Sequence, residues 1–133
     1  MISPPYKLVP DLINKHTSFL IQLATAQPEI DLVNVKTEKV GSALTRITVD
    51  VINKGALASH SKLGERSYWV KRINVKVNTT NNQSVVSGRK IQVLNSLEGY
   101  SAQQITWLVK GTGKLTIQAG SPTTGTKTID VNL

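Results

Sequence analysis

Cysteine is absent from the 133 residues, which excludes disulfide stapling, thiol catalysis and cysteine–zinc sites. It leaves the compartment open. No apolar run approaches the ~20 residues that cross a bilayer, so the sequence reads as a soluble segment with no transmembrane span. Met1 to Tyr6 holds two prolines and no apolar stretch, so no signal peptide is expected there. Histidine occurs only at 16 and 60, and a zinc site would need a third protein ligand that cysteine cannot supply. The eight acidic residues nowhere cluster as a paired-carboxylate site would. Aromatic residues are few: Tyr6, Phe19, Tyr68, Trp69, Tyr100 and Trp107.

What the chain does have is alternation. Ile105, Trp107 and Val109, then Leu115, Ile117 and Ala119, then Ile129, Val131 and Leu133 recur at period two, with glycine or proline between the runs. Sheets with one buried and one wet face are written this way. Strands are expected near Ile30–Glu38, Leu44–Asn53, Tyr68–Val77, Arg89–Leu94, Gln104–Val109, Lys114–Ala119 and Lys127–Leu133. The earlier inward positions would be Val33 and Val35; Ile47, Val49 and Val51; Trp69, Ile73, Val75 and Val77; and Ile91 and Val93. This pattern predicts an all-β, immunoglobulin- or fibronectin-like seven-stranded β-sandwich.

One N-terminal amphipathic helix precedes it. After an extended, proline-restricted lead-in over residues 1–10, Leu12, His16, Phe19, Leu20, Leu23 and Ala24 recur at threes and fours until Pro28. Ile13 and Ile21 widen the apolar arc. A helix this apolar should pack on the sandwich or on something outside this chain. The expected division is 1–28 as lead-in and helix, and 29–133 as the sandwich domain. Leu12, Phe19, Leu20 and Leu23, with Tyr68 and Trp69, are the candidate interface residues.

The net charge is +8, with eight Lys or Arg against Glu98 and Asp130 over residues 67–133. Such an excess raises attraction to nucleic acid, anionic surfaces or an acidic partner without specifying which. A nucleic-acid binder that stacks bases interleaves exposed aromatics with basic residues, and Trp107 falls on a core stripe, so no nucleic-acid partner is expected. Ser59-His60-Ser61 sets hydroxyls beside an imidazole, but sequence neighbours in a loop seldom face one another and no third group orients them. Both histidines read as structural, His16 beside the helix seam and His60 in a solvated loop. Gly111-Thr112-Gly113-Lys114 lacks the upstream glycine and following helix of a phosphate loop and reads as a turn. Asn78-Thr79-Thr80 matches the three-residue glycosylation pattern, which is common by chance, inside a polar run expected to take no part in packing.

The order of pieces resembles the extreme C-terminal region of bacterial M14-type zinc carboxypeptidases, the last catalytic-domain helix plus an appended β-sandwich. The resemblance rests on Phe19-Leu20-Ile21-Gln22-Leu23-Ala24 before Pro28, on Leu44 to Ala58 with its Asn53-Lys54-Gly55 turn, and on Ile105 to Gly113. It implies a non-catalytic accessory domain bracing a metallopeptidase, secreted or periplasmic, with an upstream catalytic domain of the same polypeptide as partner. Neither histidine has a glutamate three positions on, because Phe19 and Leu63 stand there. The chain would therefore hold no catalytic, cofactor or metal residue, and zinc would belong to the missing domain. The other reading is a stand-alone or fused binding module for carbohydrate, cell envelope or peptide, with Tyr68 and Trp69 as its platform and weak envelope or glycan contact.

Overall fold

The computed structural model describes residues 5–133; the part of the expected lead-in at 1–4 lies outside them. A 3-10 turn at Tyr6–Leu8 runs into helix α1, Val9–Thr25. The extended reading of the lead-in thus ends early: Pro10 sits in the first helical turn, where its missing N–H costs nothing, and Asp11 places a carboxylate in the same turn, at the positive end of the helix dipole. Eight strands follow: β1 Ile30–Gly41, β2 Leu44–Asn53, β3 Asn74–Asn78, β4 Ser84–Ser87, β5 Ile91–Val93, β6 Ala102–Lys110, β7 Lys114–Ser121 and β8 Gly125–Asn132. They form two four-stranded antiparallel sheets, β1-β2-β6-β4 and β5-β3-β7-β8. The molecule is an immunoglobulin- or fibronectin-like β-sandwich with one more strand than expected.

The core lies between the sheets. Ile47, Val49 and Val51 of β2 and Ile105, Trp107 and Val109 of β6, side by side on one sheet, face Val75 and Val77 of β3 and Leu115, Ile117 and Ala119 of β7 on the other. Trp107 is 1% exposed, and its indole N–H donates to the Arg89 carbonyl at 3.0 Å. The chain crosses that ring at Gly88, whose φ is +94° and where a Cβ would come within 2.6 Å of the indole.

Directly opposed residues of an antiparallel pair share a face, and this corrects three expected phases. Leu32 lies opposite Val51 and Ile30 opposite Asn53, so these two are buried, while Val33 is half-buried and Val35 exposed. Beyond Val33 the register slips at a bulge where Asn34 takes a φ of 52°. Ile91 lies opposite Lys76, and Val93 opposite Asn74, so both face solvent; Leu94 and Leu97 enter the core instead. β3 begins at Asn74 rather than Tyr68, which places Trp69 in a loop and outside the core stripe. The four-residue β4, a bulged edge strand on β6, is too short to announce itself by alternation.

The ends of the sandwich differ. At one, the 79–83 segment meets the β6–β7 turn: Gln83, buried, bonds Thr80 N–H and the Thr112 and Lys114 carbonyls. That polar run therefore does take part in packing, because a glutamine amide satisfies backbone groups that water cannot reach. At the other end stand α1, the β2–β3 connection (54–73) and the β5–β6 connection (94–101). No residue of α1 is buried. The helix joins the sandwich only through its C-terminal exit, where Leu57 N–H donates to the Ala26 carbonyl at 3.0 Å.

Candidate binding surface

Asn53 organises the helix-bearing end. Its side-chain oxygen accepts from Glu29 and Gly55 N–H, and its amide nitrogen donates to the Leu57, Leu97 and Glu98 carbonyls. The Asn-x-Gly spacing thus joins the helix exit and two loops. Gly55 is required beside it, since a Cβ there would fall 2.0 Å from the Gln27 carbonyl oxygen.

Ser59 and its neighbours clasp the two loops together. Ser59 N–H donates to the Leu97 carbonyl at 2.9 Å, and Leu97 N–H returns a bond to Ser59 Oγ at 3.0 Å. Glu65 Oε1 accepts from Ser96 N–H at 2.7 Å, and Ser96 Oγ donates to the His60 carbonyl. The His60 side chain is only 7% exposed, which corrects its expected place in a solvated loop. Contrary to the expectation that the two would not face one another, its Nδ1 lies 3.2 Å from Ser59 Oγ. Nε2, 3.9 Å from Glu65 Oε1, has no hydrogen-bond partner. This order of hydroxyl, imidazole and carboxylate does not make a nucleophile: Ser59 is buried and its oxygen already holds Leu97 N–H. His16 stands exposed on α1. Among the described residues no group of three or more His, Cys, Asp or Glu could hold a metal ion, and no helix is long and apolar enough to cross a membrane.

This clasp holds up two aromatic rings. Arg72 donates to the Glu65 carbonyl, Gly64 N–H to Ser61 Oγ at 3.1 Å, and Trp69 N–H to Ser67 Oγ at 3.3 Å. Tyr68 and Trp69 project from the loop so fixed, 85% and 84% exposed. Their rings meet edge to face at 5.9 Å and 80°, and Lys71 Nζ lies 5.4 Å from the Tyr68 centroid. Leu57, Leu63 and Tyr100 are also exposed on these two loops. Of the other candidates, Phe19, Leu20 and Leu23 are exposed and Leu12 half-buried along one face of α1. Helix face and aromatic pair share an end of the molecule but are not packed on one another. The clasping residues Asn53, Ser59 and Glu65 carry little short-range signal beyond the Asn-x-Gly turn, since their partners in the β5–β6 connection lie 31 to 45 positions away.

A family model described as Domain of unknown function (DUF8731) matches residues 29–132. The chain belongs to that family. The DUF8731 match takes in all eight strands and leaves α1 outside. No curated protein matches the sequence. Among solved structures, the chain is similar to DesR, a β-glucosidase from Streptomyces venezuelae in complex with D-glucose (16% identity, TM-score 0.37, 80% of this chain and 15% of that one). It is also similar to β-glucosidase 3B from Thermotoga neapolitana in complex with α-D-glucose (10% identity, TM-score 0.35, 80% and 16%). The chain thus spans about a sixth of the length of these enzymes. The family match corrects the resemblance to M14-type zinc carboxypeptidases: the family to which the sandwich belongs is DUF8731. The metallopeptidase accessory role and the upstream zinc domain do not stand. Helix and sandwich patterns recur in many proteins, so their order alone could not fix a parent enzyme.

Proposed function

We propose that this chain is a non-catalytic β-sandwich binding module of a larger polypeptide. In this reading α1 seats the module on a folded body that precedes it, and the aromatic end of the sandwich is the working surface. The carrying observation is α1 itself, an apolar helix with no buried residue, lying outside the matched family unit. Val9, Leu12, His16, Phe19, Leu23 and Ala26 follow at alternating threes and fours, flanked by Ile13 and Leu20. A stripe that broad suits the surface of a folded body better than a two-helix seam. Seating it contributes about 1.5–3 kcal/mol for each large side chain taken fully out of water, less the cost of ordering it.

Surface area supports the same reading. The chain exposes 9158 Å2, whereas a compact monomer of its 14.5 kDa would expose about 6,900 Å2. The excess is larger than the ~800 Å2 that one partner contributes to a standard-size protein interface. The direct test is the size of the native product, by blotting source cells with an antibody to this chain. A product well above 14.5 kDa is expected, and one of that mass overturns the reading.

A further inference from the structure

We propose that Trp69, with Tyr68 beside it, is a saccharide-binding platform that takes the apolar face of a pyranose ring against the indole. This deepens the binding-module reading and names the ligand class of its aromatic end.

Three observations carry it. First, the two rings are presented rather than merely uncovered. Two aromatics this exposed would ordinarily fold back onto the protein to leave water. Here the loop beneath them is held by Glu65, Ser67 and Arg72 through backbone bonds, so the platform exists before a ligand arrives and little ordering cost remains at binding. Second, the residues flanking the rings in sequence are mostly polar. Ser67, Lys71 and Arg66 are among them, and no apolar pocket encloses the rings. A protein hot spot sits in a dry, well-packed patch, whereas a pyranose offers one flat C–H face for the ring and hydroxyls all round for polar neighbours and water. Third, three of the nearby cations already have partners. Lys71 lies over Tyr68, Arg72 bonds the Glu65 carbonyl, and Lys62 pairs with Glu98 at 3.5 Å. A nucleic-acid groove would leave such groups to follow phosphates.

The edge-to-face geometry leaves the rings unequal. One face of Tyr68 is occupied by Lys71, so Trp69 carries the stacking and Tyr68 forms a wall at 80° to it.

The test is affinity electrophoresis of the full chain through native gels containing xylan, mixed-linkage β-glucan, mannan or glycol chitin, with a salt titration against single-stranded DNA alongside. Retardation by at least one polysaccharide is expected. Trp69→Ala should weaken it at least tenfold, Trp69→Phe should retain part, and Tyr68→Ala should weaken it less than Trp69→Ala. Circular dichroism checks that the variants are folded. No retardation in any of the four gels overturns the proposal. So does a folded Trp69→Ala chain that is retarded like the parent, or binding confined to DNA and abolished by salt. A native product of 14.5 kDa together with retardation would overturn the appended-module reading and leave this site standing. A larger product without retardation would do the reverse.

Discussion

Asn53 shows how one buried amide can fix the relation of three segments. It makes five hydrogen bonds while 1% exposed, so its removal leaves carbonyls and N–H groups of the helix exit and both loops unsatisfied in a dry site. Asn53→Ala should cost about 2–4 kcal/mol, measured by urea unfolding; a loss under about 0.5 kcal/mol would show that water replaces the amide. Gly88 is a second sensitive residue. Gly88→Ala adds a Cβ within 2.6 Å of the Trp107 ring at a φ of +94°, and should destabilise by about 1–3 kcal/mol. The change should appear in the near-ultraviolet circular dichroism of that indole, while an unaltered spectrum and midpoint would mean that the crossing chain simply lifts away. Neither role is visible in local sequence, because each depends on atoms brought together from distant strands.

The elements themselves were largely legible. Long runs of alternation marked β2, β6, β7 and β8, where burial on one face forces period two, and the helical stripe marked α1. Reading failed where other forces set the phase. β2 fixed β1, β3 fixed β5, and the clasped loop took Tyr68 to Ile73 out of a strand although Trp69, Ile73 and Val75 suggested a stripe. The outer sheet faces carry a pH dependence of known sign. Asp50 accepts from Asn34 and Gln104, and Asp130 from Lys114 and Thr116, and these bonds hold both carboxyls below the ordinary carboxylate value. A carboxyl lowered in the folded state stabilises above its unfolded pKa, and that stabilisation fades as pH falls through the folded value, a window below about pH 4. The Asp50→Asn, Asp130→Asn double variant should therefore lose less stability between about pH 5 and pH 3 than the parent. An equally steep acid limb would assign the slope to other carboxylates, among them Asp31, which Lys54 holds low.

At the scale of the whole molecule, sandwich and helix are separable. The sandwich has its own core, whereas α1 buries nothing against it and meets it only at Ala26 to Glu29. A helix of 17 residues left in water is marginal by itself, so its persistence depends on what covers it. Two consequences follow for an isolated chain. Phe19→Ala should change stability by under about 0.5 kcal/mol, since a ring 60% exposed leaves no cavity when removed. A chain shortened to Ala26–Leu133 should melt within a few degrees of the full chain, because every core contact and the Leu57–Ala26 bond are kept. The full chain should also bind more hydrophobic dye and elute earlier or more broadly in gel filtration than the shortened one, since removing α1 removes the exposed run of Ile13, Phe19, Leu20, Ile21 and Leu23. If shortening instead collapses the melting transition, α1 is part of the sandwich's own stability and the helix cannot be an element lent to a neighbouring body. If it leaves melting intact while lowering dye binding, the apolar stripe from Leu12 to Leu23 is surface held for a partner.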